Sequence, residues 1–326
     1  MLPCRGKHQY RKNYRTETTM NENNEALSNV RDGAHGIEPD QELLKEFPLK
    51  RSYEKMIPRE GEEAVKVYIY EPEGMETRGP VIIRLHGGGF VKPYRGQDVN
   101  YSHVVAFNTK CLMIDIDYKP APEKAYPYAI NEGYAVVKYV YEHAEEFDID
   151  PERIILSGAS AGANMATVIT LMNHEKERRG EKPDFKICRT CLAYPPLDLA
   201  ADPVSKLGPD ATPESIELQK RGLLYNEWYA GGENKTDWRV SPVYAEIEQL
   251  EGLNPFLICT GGTDSLGPEG EKFAGMLIEA GVSVTCKRLM GTRHGFLTRR
   301  VGKFAEAEKL YFDLVEEVKN PKKWKF

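Results

Sequence analysis

Short apolar runs alternate along the chain with longer stretches whose apolar residues recur at helical spacing. Val65–Tyr70 alternates with period two, as a strand with one exposed face does. Val81–Leu85 and Leu112–Asp117 are nearly continuous apolar runs, the first broken only by Arg84, and they read as strands buried on both faces. Ile154–Leu156, a stretch near Ile187–Tyr194, Pro255–Cys259, and Val282–Thr285 continuing toward Leu289 read the same way. Helices are predicted over Tyr101–Asn108, about Pro127–Phe147, Met165–Met172 and about Glu269–Ala280. In the longest, Ile130, Tyr134, Val137 and Tyr141 share one face. A last helix carries Phe304, Ala307, Tyr311, Leu314 and Val318 on one side. Strands alternating with helices imply an α/β fold, with a mostly parallel central sheet flanked by helices.

Two regions break this rhythm. Residues 200–245 are polar, rich in Pro and Gly, and contain Trp228 and Trp238; they read as an inserted helical cap with a short helix near Pro213–Leu224. A second cap piece is expected over residues 38–55, where a short amphipathic helix from Glu38 to Phe47 has Pro39 near its start and Pro48 at its end. Residues 1–19 are basic, polar and aperiodic, and the composition turns acidic at Met20. They read as a disordered extension preceding a single domain over 20–326.

The charge of −6 over 326 residues, without a long basic block, argues against nucleic acid as a partner. No apolar run approaches the length of a membrane span, and the polar N-terminus lacks the apolar core of a secretion signal. The six cysteines lie mostly in strand-like segments and read as reduced core thiols of a cytoplasmic protein. Cys188-x-x-Cys191 has no second pair, so it is not taken as a metal or redox site.

The chemistry concentrates in four places. Gly158-Ala-Ser160-Ala-Gly162 stands between a strand and a helix, where a sharp reversal would expose the Ser160 hydroxyl above a helix N-terminus. His86-Gly-Gly-Gly-Phe90 directly follows a strand, and consecutive glycines let backbone N–H groups approach a substrate closely. The glycines are not followed by the Gly-Lys-Ser/Thr of a phosphate loop. Asp264 follows the strand at 255–260, and His294 follows the strand ending near Leu289. All four lie beyond the C-terminal ends of parallel strands, where open α/β sheets place their sites. The order Ser160, Asp264, His294 is that of α/β-hydrolases.

From about Glu38 onward the chain resembles the hormone-sensitive-lipase-like family of α/β-hydrolases, a group of carboxylesterases. The resemblance rests on His86-Gly-Gly-Gly-Phe90, Asp117-Tyr-Lys-Pro-Ala-Pro-Glu123, Gly158-Ala-Ser-Ala-Gly162, Ser241-Pro-Val and His294-Gly-Phe. It implies a Ser160–His294–Asp264 triad, with the amides of Gly88, Gly89 and Ala161 forming the oxyanion hole and His86 holding the glycine loop. Ala159 and Ala163 stand where the family often has Asp and Gly. The acid segment reads Asp264-Ser-Leu-Gly-Pro-Glu269, which makes Asp264 the expected acid and Glu269 the second choice.

The implied activity is hydrolysis of short-chain esters, acetyl to hexanoyl, through a covalent acyl-enzyme. Tyr225, Trp228, Tyr229 and Trp238, with Leu43, Leu44 and Phe47, are expected to line a closed apolar pocket. The expected partner is a small-molecule ester, with a homodimer left open, and no metal or organic cofactor is required. Two alternatives stand beside this reading. One is a formamidase or other amidase on the same triad; the other is a non-catalytic ligand-binding relative, a class that typically loses the histidine.

Overall fold

The computed structural model describes residues 25–32, 38–208, 211, 213–299, 301–302 and 305–319. The chain divides into two compact units, one ending at Ile37 and one running from Glu38 to Phe326. The first contains helix α1 (residues 25–32), in which Ser28 Oγ donates to Asp32 Oδ2 at 2.7 Å. Residues 1–19 lie outside the described residues.

The second unit opens with α2 (Gln41–Glu46), β1 (Arg51–Arg59), β2 (Glu62–Glu71) and β3 (Gly79–Leu85). Next come α3 (Gly96–Thr109), β4 (Leu112–Asp117), α4 (Tyr128–Glu142), β5 (Ile149–Ala159), α5 (Ala161–Arg178) and β6 (Arg189–Ala193). After α6 (Pro213–Ala230) and the single turn α7 (Ile247–Leu250) follow β7 (Phe256–Gly261), α8 (Gly267–Glu279) and β8 (Val284–Leu289). The unit closes with α9 (Phe296–Arg299) and α10 (Ala305–Lys319).

The eight strands form one sheet in the order β1-β2-β4-β3-β5-β6-β7-β8. β1 and β2 run antiparallel to their neighbours, and the pairs from β4 through β8 are parallel. β3 is buried at every position, as strands with helices on both faces must be. Every strand-like apolar run maps onto a strand of this sheet. Arg84, the one charge in β3, is neutralised where it stands: its guanidinium meets Asp115 at 2.5 Å and Asp98 at 3.0 Å, all three buried. Ser102 Oγ and Tyr94 Oη also donate to Asp115. A buried charge left unpaired would be costly, and this cluster leaves none.

Residues 38–55 depart from expectation. From Arg51 onward they pair in register with β2 as the sheet's edge strand. The strand was invisible in the pattern because it is mostly polar and exposed, with Ile57 its one buried residue and Pro58 tolerated at an edge. Asp40 caps α2, accepting from the amides of Glu42 and Leu43, while its own amide donates to Asn100 of α3. At the other end of α2, Phe47 packs edge-on against Phe107 at 5.5 Å. The helix therefore packs on α3, and Leu43 joins the core cluster of Tyr101, Val104 and Val105. Leu43 is buried in that cluster, and Phe47 packs against it. No helix among the described residues is long and apolar enough to cross a membrane.

Candidate active site

β5 ends at Ala159, α5 begins at Ala161, and Ser160 makes the whole turn between them. Its φ of 53° and ψ of −123° are a backbone conformation L-residues rarely adopt. Two devices hold it there. The Ser160 amide donates to the Ala193 carbonyl at the end of β6, at 2.9 Å. The flanking glycines permit the close approach that the reversal demands. A Cβ on Gly158 would sit 2.6 Å from the Ala163 Cα, and one on Gly162 2.5 Å from the His86 carbonyl oxygen. Neither position can carry a side chain unless backbone moves.

The loop after β3 lies beside this turn. A Cβ on Gly87 would stand 3.0 Å from the Ala159 carbonyl oxygen and 3.4 Å from Cβ of Ser160. Gly88 and Gly89 have φ of 137° and 62°, so conformation reserves the first for glycine and favours it at the second. Among the described residues no acceptor engages the amides of Gly88, Gly89 or Ala161. His86 is fully buried and stacks on Tyr118 at 4.1 Å, whose hydroxyl donates to the His86 carbonyl. Burial pulls the His86 pKa below its ordinary value, so the ring is neutral, and Nδ1 lies 2.8 Å from the Gly87 carbonyl. His86 thus faces the loop's backbone and not the cleft.

Asp264 and His294 reach the same point from β7 and β8. Asp264 is buried; its Oδ1 accepts from the Leu266 amide, and its Oδ2 lies 2.7 Å from Nδ1 of His294. His294 Nε2 lies 2.8 Å from Ser160 Oγ. The three side chains, far apart in the sequence, form one hydrogen-bonded line. A positioned base beside a hydroxyl, itself oriented by a carboxylate, is an arrangement that can generate a nucleophile.

Glu269 is elsewhere. Its Oε2 accepts from the amides of Leu197 and Asp198, and its Oε1 is 2.5 Å from Nζ of Lys206. Burial pushes its pKa up against the pull of Lys206. It ties the segment after β6 to α8 and does not contact His294.

That segment is fastened over the strand tips by further ties. Asn164 of α5, fully buried, donates to the carbonyls of Pro196 and Val240. Ser241 Oγ accepts from the Leu199 amide. Tyr229 stacks on Phe90 at 3.8 Å, pinning the end of α6 to the glycine loop. One turn earlier, the Tyr225 ring lies over Gly89, its Cε2 2.9 Å from where a Cβ would be. Trp228 stacks on Tyr225 at 6.3 Å. Of the four aromatics expected around the pocket, Tyr225 and Trp228 are half-buried near the loop, while Tyr229 and Trp238 are buried as packing.

The sequence reading missed two contributors. Tyr194, just past β6, has φ of 41° and presents its ring edge-on to His294 at 4.9 Å. Its hydroxyl is 3.1 Å from Thr298 Oγ1, which fixes the ring. Asn164 is the other; it follows the serine elbow and was not distinguished from ordinary helix residues. Its signal is a polar amide within the otherwise small and apolar first turns of α5, residues 161–166.

The family described by the alpha/beta hydrolase fold matches residues 82–298, a span that includes the glycine loop, the elbow, Asp264 and His294. The chain belongs to the hormone-sensitive-lipase-like α/β-hydrolases. It is 31% identical to the carboxylic ester hydrolase LipN of Mycobacterium tuberculosis, over 70% of this chain and 60% of that protein. It is 27% identical to the carboxylesterase NlhH of the same organism, over 78% and 77%. Among solved structures, an esterase of Rhizomucor miehei superposes with a TM-score of 0.78 at 25% identity, covering 90% of this chain and 91% of that one.

Proposed function

We propose that this α/β-hydrolase is a serine carboxylesterase acting on short-chain esters of small molecules. The observation that carries the reading is the unbroken line from Asp264 through His294 to Ser160, ending on a serine held at a strand tip. The esterase names of its relatives support it. Ser160 Oγ attacks the ester carbonyl as His294 Nε2 takes its proton. Asp264, bonded to Nδ1, fixes the tautomer that leaves Nε2 free to accept, and stabilises the imidazolium that forms. The negative charge on the carbonyl oxygen falls to the open amides of Gly88, Gly89 and Ala161. The tetrahedral intermediate collapses, the alcohol leaves with the proton from His294, and an acyl-Ser160 ester remains. Water then gives its proton to His294 as it attacks the acyl group, and the acid is released with Ser160 restored.

A fluorophosphonate probe tests the reading directly. It should label the wild-type chain and not Ser160→Ala, and p-nitrophenyl acetate, butyrate and hexanoate should be hydrolysed by the former alone. Labelling that persists in Ser160→Ala would overturn the assignment. Faster turnover of N-formyl aromatic amines than of the esters would move the activity to an amidase.

A further inference from the structure

The rim of the Ser160 site carries four cations, three of which meet no carboxylate in ion-pair contact among the described residues. Lys92 follows the glycine loop, and its Cβ is 2.8 Å from where a Gly88 side chain would begin. Arg95 reaches back with Nη2 3.4 Å from the Gly87 carbonyl. Arg299 closes over the turn that carries His294, its Nε 3.1 Å from where a Gly295 Cβ would stand. Arg221 lies one turn before Tyr225 on α6, and the charges of Arg221 and Arg95 both bear on the Tyr225 hydroxyl. These cations come from three separate stretches, the loop after β3 that carries both Lys92 and Arg95, α6 and α9, and they stand about the loop that faces Ser160.

Their balance decides the matter. Arg84 and Arg95 share Asp98, and Asp115 completes the neutralisation of that buried cluster. Lys92, Arg221 and Arg299 have no carboxylate in ion-pair contact among the described residues. The charged groups acting on Lys92 are Arg95, Arg299 and Arg221, all repulsive. A half-buried ammonium ordinarily finds a carboxylate. Here burial first, and then the three arginines, pull its pKa down to about 8. An otherwise acidic chain, at −6, has gathered unmatched cations at one place.

We infer that this rim is an anion subsite, and that the ester taken by Ser160 carries a carboxylate a few atoms from the scissile carbonyl. The inference rests on the esterase reading above. A negative group there would supply the counter-charge that Lys92 lacks, and field lines focused by the cleft would draw such substrates in. The carboxylate can sit on the acyl side, as in a half-ester of a dicarboxylic acid, or on the alcohol side.

Matched substrate pairs separate these arms: mono-p-nitrophenyl succinate against p-nitrophenyl butyrate, and 4-acetoxybenzoate against phenyl acetate. The quantity read is the ratio of kcat/KM for the anionic ester to that for its neutral mate. In at least one arm Lys92→Met should lower this ratio about tenfold, and Arg299→Gln or Arg221→Gln by about threefold or more. Lys138→Met, a control on α4 paired with Asp184, should leave it unchanged. Raising the salt should also lower the wild-type ratio, since screening weakens such attraction. Ratios unmoved in both arms by all three rim variants, or moved equally by Lys138→Met, would overturn the inference. Calorimetry of mono-methyl succinate and 4-acetoxybenzoate binding to Ser160→Ala, with and without Lys92→Met, reads the subsite without turnover. If no ester is hydrolysed but binding weakens about tenfold with Lys92→Met, the esterase reading falls and the subsite stands. No weakening in either ligand counts against the subsite itself.

Discussion

Asp264 and Glu269 are equally buried and lie on either side of the turn that opens α8, yet they serve different regions of the molecule. Asp264 belongs to the strand tips. There position is dictated by backbone: the left-handed φ of Ser160, its amide bonded to the end of β6, and glycines at 158 and 162 that tolerate no Cβ. Glu269 belongs to the segment over those tips, which is held by side chains: Glu269 to Leu197, Asp198 and Lys206, Ser241 to Leu199, Asn164 to Pro196 and Val240. The contrast separates chemistry from access. Damage to the first region should stop the reaction, and damage to the second should change what enters and how firmly the cover sits.

The sharpest break is at the centre of the first region. Ser160→Ala and His294→Ala should each lower kcat by about 10⁴-fold or more, with melting temperature nearly unchanged, as stopped-flow or endpoint assays of p-nitrophenyl butyrate would read. Asp264→Asn comes next, at about 10³–10⁴ in kcat, because the amide favours the wrong imidazole tautomer. Glu269→Gln tests the other side. It should keep kcat within about tenfold of wild type but leave the nearly buried Lys206 without its counter-charge, at a cost of about 1–3 kcal/mol in denaturant unfolding. If the two carboxylates ranked the other way in kcat, their roles would have to be exchanged.

Smaller effects sharpen the same contrast. With Tyr225 and Trp228 over the glycine loop, kcat/KM should be highest for acyl chains of roughly two to six carbons and fall beyond about eight, as a burial gain of about 0.8 kcal/mol per methylene runs out. A series of p-nitrophenyl esters from acetate to laurate measures this, and a continuing rise to laurate would contradict it. The smallest expected effect depends on pH. Lys92 is charged below about 8 and neutral above it; the groups that face it are the guanidinium groups of Arg95, Arg221 and Arg299 and the Tyr225 hydroxyl, whose pKa burial raises. The preference for an anionic ester over its neutral mate should therefore be fully present below that pH and decline severalfold, about the weight of one charge, as pH rises through it.

The strand tips were legible in the sequence because steric necessity writes itself into residue type. Gly158, Gly162, Gly88 and Gly89 can be little else, and the order of Ser160, Asp264 and His294 follows from which strands end beside one another. β1 was not legible, since an exposed edge strand needs only Ile57 to be apolar. Nor was the course of α2: an amphipathic face says that something is covered and not what. The cationic rim escaped for a third reason. Lys92, Arg95, Arg221 and Arg299 belong to no common motif, and each alone is an ordinary surface charge until the fold brings them together.

The Tyr225 ring occupies the volume that a side chain at Gly89 would need, which makes the two positions a lock with one movable part. Residue 89 is held by backbone, because its φ of 62° lies in the left-handed region that favours glycine. Residue 225 can vary, because it sits on a half-exposed helix face with no backbone constraint of its own. Change in substrate range, whether by natural drift or in a directed library, is thereby channelled onto α6. Diversifying residues 221, 225 and 228 would reshape the room above the loop while leaving untouched every position on which bond-breaking depends.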